Sequence, residues 1–229
     1  MIFYHIRKFF KKKSPVYKHS KTSFAQEGED MIINRFFEHK KRGIYVDVGA
    51  HHPFRFSNTC YFYRKGWSGI NIDPLPGTAD LFKKYRKRDI NIQKGVSIKE
   101  EQLLYYAFKE PAYNSFNEEK ANEYIKAGLG LPLLSKTKID TVPLKKILDE
   151  NLRAGTTIDF LTIDTEGLEL QVLQSNNWEK YQPTIIIIED QTIEIKKHLS
   201  SELNLFLEKQ NYSLVSKSYY SYIYKKNDA

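Results

Sequence analysis

Cys60 is the lone cysteine among 229 residues. It excludes an internal disulfide framework and sets the expectation of a reduced, cytoplasmic setting. No apolar run is long enough to span a membrane, and the opening residues lack the apolar core of a signal peptide. Repeats and low-complexity linkers are also missing. Residues 1–21, MIFYHIRKFFKKKSPVYKHSK, contain no acid at all, within a chain of formal charge +8. A solvated tail accounts for that composition. A basic, aromatic-laced segment also suits peripheral contact with an anionic membrane surface, or nucleic acid. We therefore divide the chain into a basic tail, 1–22, and one domain, 23–229, with a cap-like insertion near 103–140.

The most informative stretch that is present is IYVDVGAHHPFRFSN, Ile44 to Asn58. An apolar β-type run ends in an acid, a glycine and a polar turn, the shape at which open α/β sheets hold nucleotide-like ligands. Further strands are expected at GINID, stopped by Pro74 and Pro76, at Ile90–Val96, and at the apolar runs DFLTID and TIIIIED. Such β-branched runs indicate strands covered on both faces, as in a parallel sheet. Helices alternate with them. The first is expected to start at Ser23, with Gln26 completing a capping box, and to end at Gly43. The last spans Ile195–Gln210. YSLVSK and YSYIYKK then read as an antiparallel hairpin. The fold class is α/β: a Rossmann-like three-layer sandwich on a mostly parallel seven-stranded sheet with an antiparallel C-terminal hairpin.

Asp47 and Asp73 close the first two strands. An acid at the second commonly accepts from ribose hydroxyls, in nicotinamide and S-adenosylmethionine enzymes alike. The turn separates the two. Pyrophosphate needs G-x-G-x-x-G, whereas Gly49-Ala50-His51-His52 has one glycine. A single glycine beside an acid favours a ligand with an ammonium and a carboxylate, such as the methionine end of S-adenosylmethionine. An ordinary strand–turn–helix with no ligand is the bland alternative.

FAQEGEDMII, YVDVGAHHPFRFSNT, GWSGINIDPLPG, DFLTIDTEGLELQVL and IIIIED occur in that order. Together they make the chain resemble the FkbM family of class I methyltransferases, over roughly Ser23 to Gln191. It departs from the family at Thr162, where Lys is common, and at Asp73, where Glu is frequent. The resemblance implies S-adenosylmethionine as methyl donor and O-methylation of a sugar, glycan or antibiotic intermediate, small or carried on a nucleotide or lipid. It also implies a set of donor residues. Asp47, Gly49 and Ala50 would line the methionine end, and Asp73 would hold the ribose. Ser57, Asn58 and Thr59 would lie by the donor carboxylate at a helix start. Val96 and Ser97 would lie by the adenine, with Gln26 and Glu29 also within reach.

Two chemistries for removing the acceptor proton stay open. Asp164, Glu189 and Asp190 could converge on Mg²⁺ or another divalent cation. A related group of sugar O-methyltransferases is similar in such an acid set. Alternatively His51, His52, Asp164 or Glu166 serves as a general base. Tyr113–Phe116 are candidates for the acceptor wall. Two other functions remain in play. A nucleic-acid methyltransferase is disfavoured because DTEG stands where D/N-P-P-Y/F is expected for base amino groups. A non-catalytic binding protein on the same fold is the other.

Overall fold

The computed structural model describes residues 18–128 and 132–228. Most of the basic tail, and the middle of the GLGLP helix breaker, lie outside the described residues.

The main sheet is built from β1 (Ile44–Val48), β2 (Ser68–Ile72), β3 (Ile90–Ile92), β7 (Phe160–Ile163), β8 (Ile185–Glu189), β9 (Tyr212–Lys217) and β10 (Ser221–Lys226). The order is β3-β2-β1-β7-β8-β10-β9. β1 pairs in parallel with β2 and β7, and β7 pairs in parallel with β8. β10 runs antiparallel between β8 and β9. Alternate residues feed opposite faces, as the strand period of two requires. Val46, Val48, Leu161, Ile163, Ile186 and Ile188 pack on one side. Tyr45, Phe160, Ile185 and Ile187 pack on the other. Each fully buried isoleucine contributes about 1.5–3 kcal/mol relative to an exposed one.

Helices complete the outer layers. α1 (Glu29–Phe36) and α2 (Cys60–Arg64) bring Ile33 and Phe62 onto the second face. α5 (Leu144–Asn151), α6 (Glu169–Gln174) and α8 (Glu202–Lys209) bring Ile147, Leu173 and Leu207 onto the first. α3 (Thr78–Tyr85) links β2 to β3, and α7 (Ile195–Leu199) precedes α8.

A separate three-stranded sheet, β4-β6-β5, joins Gly95–Val96, Leu133–Val142 and Glu101–Phe108. With α4 (Glu118–Lys126) it occupies the region read as a cap.

Three expectations are corrected. α1 starts at Glu29 after a left-handed Gly28, not at Ser23. The reason is Asp30, whose carboxylate takes the Ser23 hydroxyl at 2.6 Å and the Phe24 N–H at 2.7 Å. Ser23 therefore donates instead of capping, and the helix stops at Phe36, well before Gly43. The strand expected over Ile90–Val96 divides between the two sheets. The last helix breaks in two, because the Ser201 hydroxyl caps a fresh start through the Asn204 N–H.

Candidate functional site

The parallel strands of the main sheet end at one edge, and a cavity of about 620 Å³ opens there beneath the second sheet. Its floor is made by the ends of β1, β2 and β7. Gly49 has a φ of +82° and lies so close to β7 that a Cβ would sit 1.6 Å from the Asp164 carbonyl oxygen. Only glycine permits that approach. Asp73 is buried at the end of β2. It accepts the Leu75 N–H and the His51 N–H, both at 2.8 Å. Burial raises its carboxyl to about 6.

The expected donor residues separate into three groups. Gln26, Gly49, Asp73 and Val96 line the cavity, as does His51. Glu29 and Asn58 border a narrow cleft beside it. The others stand behind the wall. Asp47 is buried and takes the Thr59 hydroxyl at 2.7 Å. Burial raises its carboxyl to about 6 as well. Ala50 is buried with its N–H on the Ile72 carbonyl at 3.1 Å. The Ser57 and Thr59 hydroxyls turn inward onto the Arg86 guanidinium at 2.7 and 2.6 Å. The Ser97 hydroxyl bonds the Lys99 carbonyl and Thr141. Glu29 is held by the Ser218 and Ser221 hydroxyls.

The two histidines differ. The His51 ring faces the cavity, stacked near Phe56, and its buried Nε2 has no partner. Burial, with the Arg55 charge nearby, lowers it to about 4. A neutral imidazole of that kind is a weak proton acceptor at neutral pH. His52 is not on the cavity wall. Its Nδ1 accepts the Phe54 and Arg55 N–H groups, both at 3.1 Å, so it shapes the turn.

At the other end of the cavity three carboxylates meet. Asp164, Glu166 and Glu189 each bring an oxygen within 4.8 Å of the others. Burial, with the Glu189 and Glu166 charges, pushes Asp164 well above the usual range. Burial raises Glu189 too. Burial raises Glu166 to about 7, against the Tyr124 hydroxyl that donates to it at 2.6 Å.

The cluster differs from the expected one, because Asp190 is turned away. Its Oδ2 lies 2.6 Å from His198 Nδ1, and Nε2 of that ring lies 2.6 Å from the Tyr224 hydroxyl. Burial pushes Asp190 up, but the hydrogen bonds from His198 and Thr192 together outweigh it and hold the carboxyl near 2. Glu166 takes its place from the turn after β7, at a φ of +52°.

The cap supplies the roof. Tyr113, Asn114, Ser115 and Phe116 all line the cavity. Tyr124 and Gln191 converge on Glu166. Arg55 of the turn after β1 forms a two-pronged pair with Glu110 of the cap, at 2.8 and 3.1 Å. Sequence reasoning assigned nothing to Tyr124, Gln191, Arg55, Glu110 or Arg86. Arg86 stands in the basic run KKYRKR, where no local signal distinguishes it from its solvated neighbours.

Comparison with known proteins follows this geometry. Among solved structures the chain is similar to a putative O-methyltransferase from Klebsiella pneumoniae. The identity is 9%, with 92% of this chain and 83% of that chain covered and a TM-score of 0.44. It is similar to the Burkholderia thailandensis 1,6-didemethyltoxoflavin-N1-methyltransferase, solved with 1,6-didemethyltoxoflavin and S-adenosylhomocysteine. There the identity is 12%, with 96% and 87% covered and a TM-score of 0.44. It is also similar to an O-methyltransferase from Bacillus cereus in complex with SAH, at 10% identity, with 91% and 84% covered and a TM-score of 0.42. No curated protein matches the sequence. The family model described as the methyltransferase FkbM domain matches residues 47–214. That match spans well over half of the chain, and the protein belongs to the FkbM methyltransferase family.

Proposed function

We propose that the protein transfers a methyl group from S-adenosylmethionine to a hydroxyl of a sugar or glycan precursor. One observation carries the reading: a single cavity holds a ribose-type acid, Asp73, at one end and the Asp164–Glu166–Glu189 carboxylates at the other. The donor end fits the cofactor. Asp73 retains lone pairs beyond its two backbone contacts, and His51 Nε2 awaits a polar partner. Gly49 leaves the floor flat. S-adenosylmethionine supplies a methyl on a sulfonium, which departs as a neutral thioether.

The carboxylate end has the acceptor's proton to handle. An alcohol needs a base or a cation to become a nucleophile. Raised carboxyls are placed to take up a proton near neutral pH. The all-oxygen set also fits a hard divalent cation such as Mg²⁺. The chemistry such an ion supplies is acidification of a hydroxyl. Asp164, Glu166 and Glu189 are the residues that would hold it.

Calorimetric titration of S-adenosylhomocysteine into wild-type protein and Asp73→Ala, with and without Mg²⁺, tests the donor half. Binding is expected in wild type and loss of about tenfold or more in the variant. Wild-type protein that binds in neither condition overturns the reading. Transfer of labelled methyl to a panel of sugar nucleotides and glycans tests the acceptor half.

A further inference from the structure

The turn after β1 is bent against its own preferences at two points. His51 and Phe56 both adopt left-handed φ, +53° and +55°. Bulky side chains hold such angles only where the surroundings over-determine them. Some of that support comes through the turn's own N–H groups. The His51 N–H reaches Asp73 and the Ser57 N–H reaches the Phe24 carbonyl, while His52 Nδ1 gathers two more N–H groups.

A further support from outside the turn is Arg86, just past the end of α3 and 1% exposed. Its Nε and one terminal nitrogen both donate to the Pro53 carbonyl, at 3.1 and 2.6 Å. The same terminal nitrogen donates to Ser57 Oγ at 2.7 Å. The other donates to Thr59 Oγ1 at 2.6 Å, and Thr59 passes its own proton toward Asp47 at 2.7 Å. Asp89 is the nearby carboxylate, 4.0 Å away. The guanidinium therefore holds the turn at Pro53, between the two strained residues, and at Ser57 and Thr59, just after the second. The guanidinium spreads four donations over three nitrogens in one rigid plane; a lysine ammonium has three donors on a single nitrogen and cannot reproduce that spread. Arg86 itself is not on the cavity wall, whereas His51, Arg55 and Phe56 are.

We propose that Arg86 is a positioning residue for the methyl donor, clamping residues 51–57 so that His51 and Phe56 stand as one wall of the donor site. The inference rests on the reading of that cavity as the donor site. A residue that only stabilised the fold would weaken the whole domain evenly. A clamp loosens one loop and one end of one cavity.

The full-length protein is compared with Arg86→Lys, which keeps the charge and loses the fork, and Ser57→Ala, which removes one anchor. Amide hydrogen exchange of the ligand-free proteins is read first. Arg86→Lys is expected to speed exchange at Phe54, Arg55 and Ser57 about tenfold, leaving β7 and β8 unchanged. S-adenosylhomocysteine affinity is expected to fall about tenfold in Arg86→Lys and about threefold in Ser57→Ala. Mn²⁺ binding should stay within about twofold of wild type in both variants. A folded Arg86→Lys protein with wild-type exchange in the turn and wild-type affinity overturns the proposal. If Arg86→Lys does not fold, Ser57→Ala decides: unchanged loop exchange and unchanged affinity overturn it. Failure of wild-type protein to bind S-adenosylhomocysteine sinks the donor-site reading instead, and the exchange data still judge the clamp.

Discussion

Asp47 and Asp73 are buried at neighbouring strand ends, with carboxyls raised by burial to about 6. In an unfolded chain they ionise near 4. Between about pH 4 and 6 the folded state therefore holds protons that the unfolded state has lost, so each acid subtracts stability as pH rises. Asp47→Asn removes that subtraction while leaving an acceptor for Thr59. The variant should melt with wild type near pH 4 and be more stable near pH 7, by on the order of 1–3 kcal/mol. Melting curves across that range check it, and a variant no more stable at neutral pH would refute it. Gly49 carries a different constraint. Gly49→Ala pushes a methyl into the Asp164 carbonyl at a left-handed φ, so a loss of at least about 2–3 kcal/mol is expected in chemical denaturation. Asp47 and Gly49 were both singled out because one local motif contains them, although Asp47 stands behind the cavity wall and not on it. Arg86 was not singled out, since its partners are a backbone carbonyl and hydroxyls some thirty positions away.

At the scale of elements, the apolar runs of β7 and β8 were readable because burial on both faces leaves a composition that little else produces. The metal-type cluster was half readable. Adjacent strand residues point to opposite sides, so Glu189 and Asp190 could not both face Asp164. Glu166 enters through a turn whose left-handed φ leaves no mark in the sequence. The start of α1 was misread because Asp30, a residue inside the helix, recruits Ser23 as a donor. The cap is fastened to the turn after β1 by Arg55–Glu110, a pair that is partly exposed at both ends. Such pairs add under about 1 kcal/mol to stability. Glu110→Gln should leave the melting temperature nearly unchanged and speed S-adenosylhomocysteine release about threefold to fivefold. Stopped-flow dissociation measures this, and an unchanged rate would mean that the pair is no latch.

On the scale of the whole molecule, charge is distributed against expectation. The chain carries +8, yet a second hollow adjoining the cavity is walled by Asp164, Glu166, Glu169, Glu189, Asp190 and Glu194, with Lys120 and Lys197 among them. A phosphodiester backbone is poorly suited to that wall. RNA binding, if the basic residues support any, should collapse between about 50 and 200 mM salt, while S-adenosylhomocysteine affinity holds. Salt-resistant RNA binding would return the nucleic-acid reading to the front. No helix among the described residues is long and apolar enough to cross a membrane. The two sheets share no strand. The floor that seats Gly49 and Asp73 is tied into the main core, where most changes are punished. The second sheet is held by its own ladder and reaches the main body through a few side-chain bonds, Arg55–Glu110, Ser115–Glu166 and Tyr124–Glu166 among them. On the proposed reading, substitutions in the roof should change which acceptor fits, whereas substitutions in the floor should cost stability first.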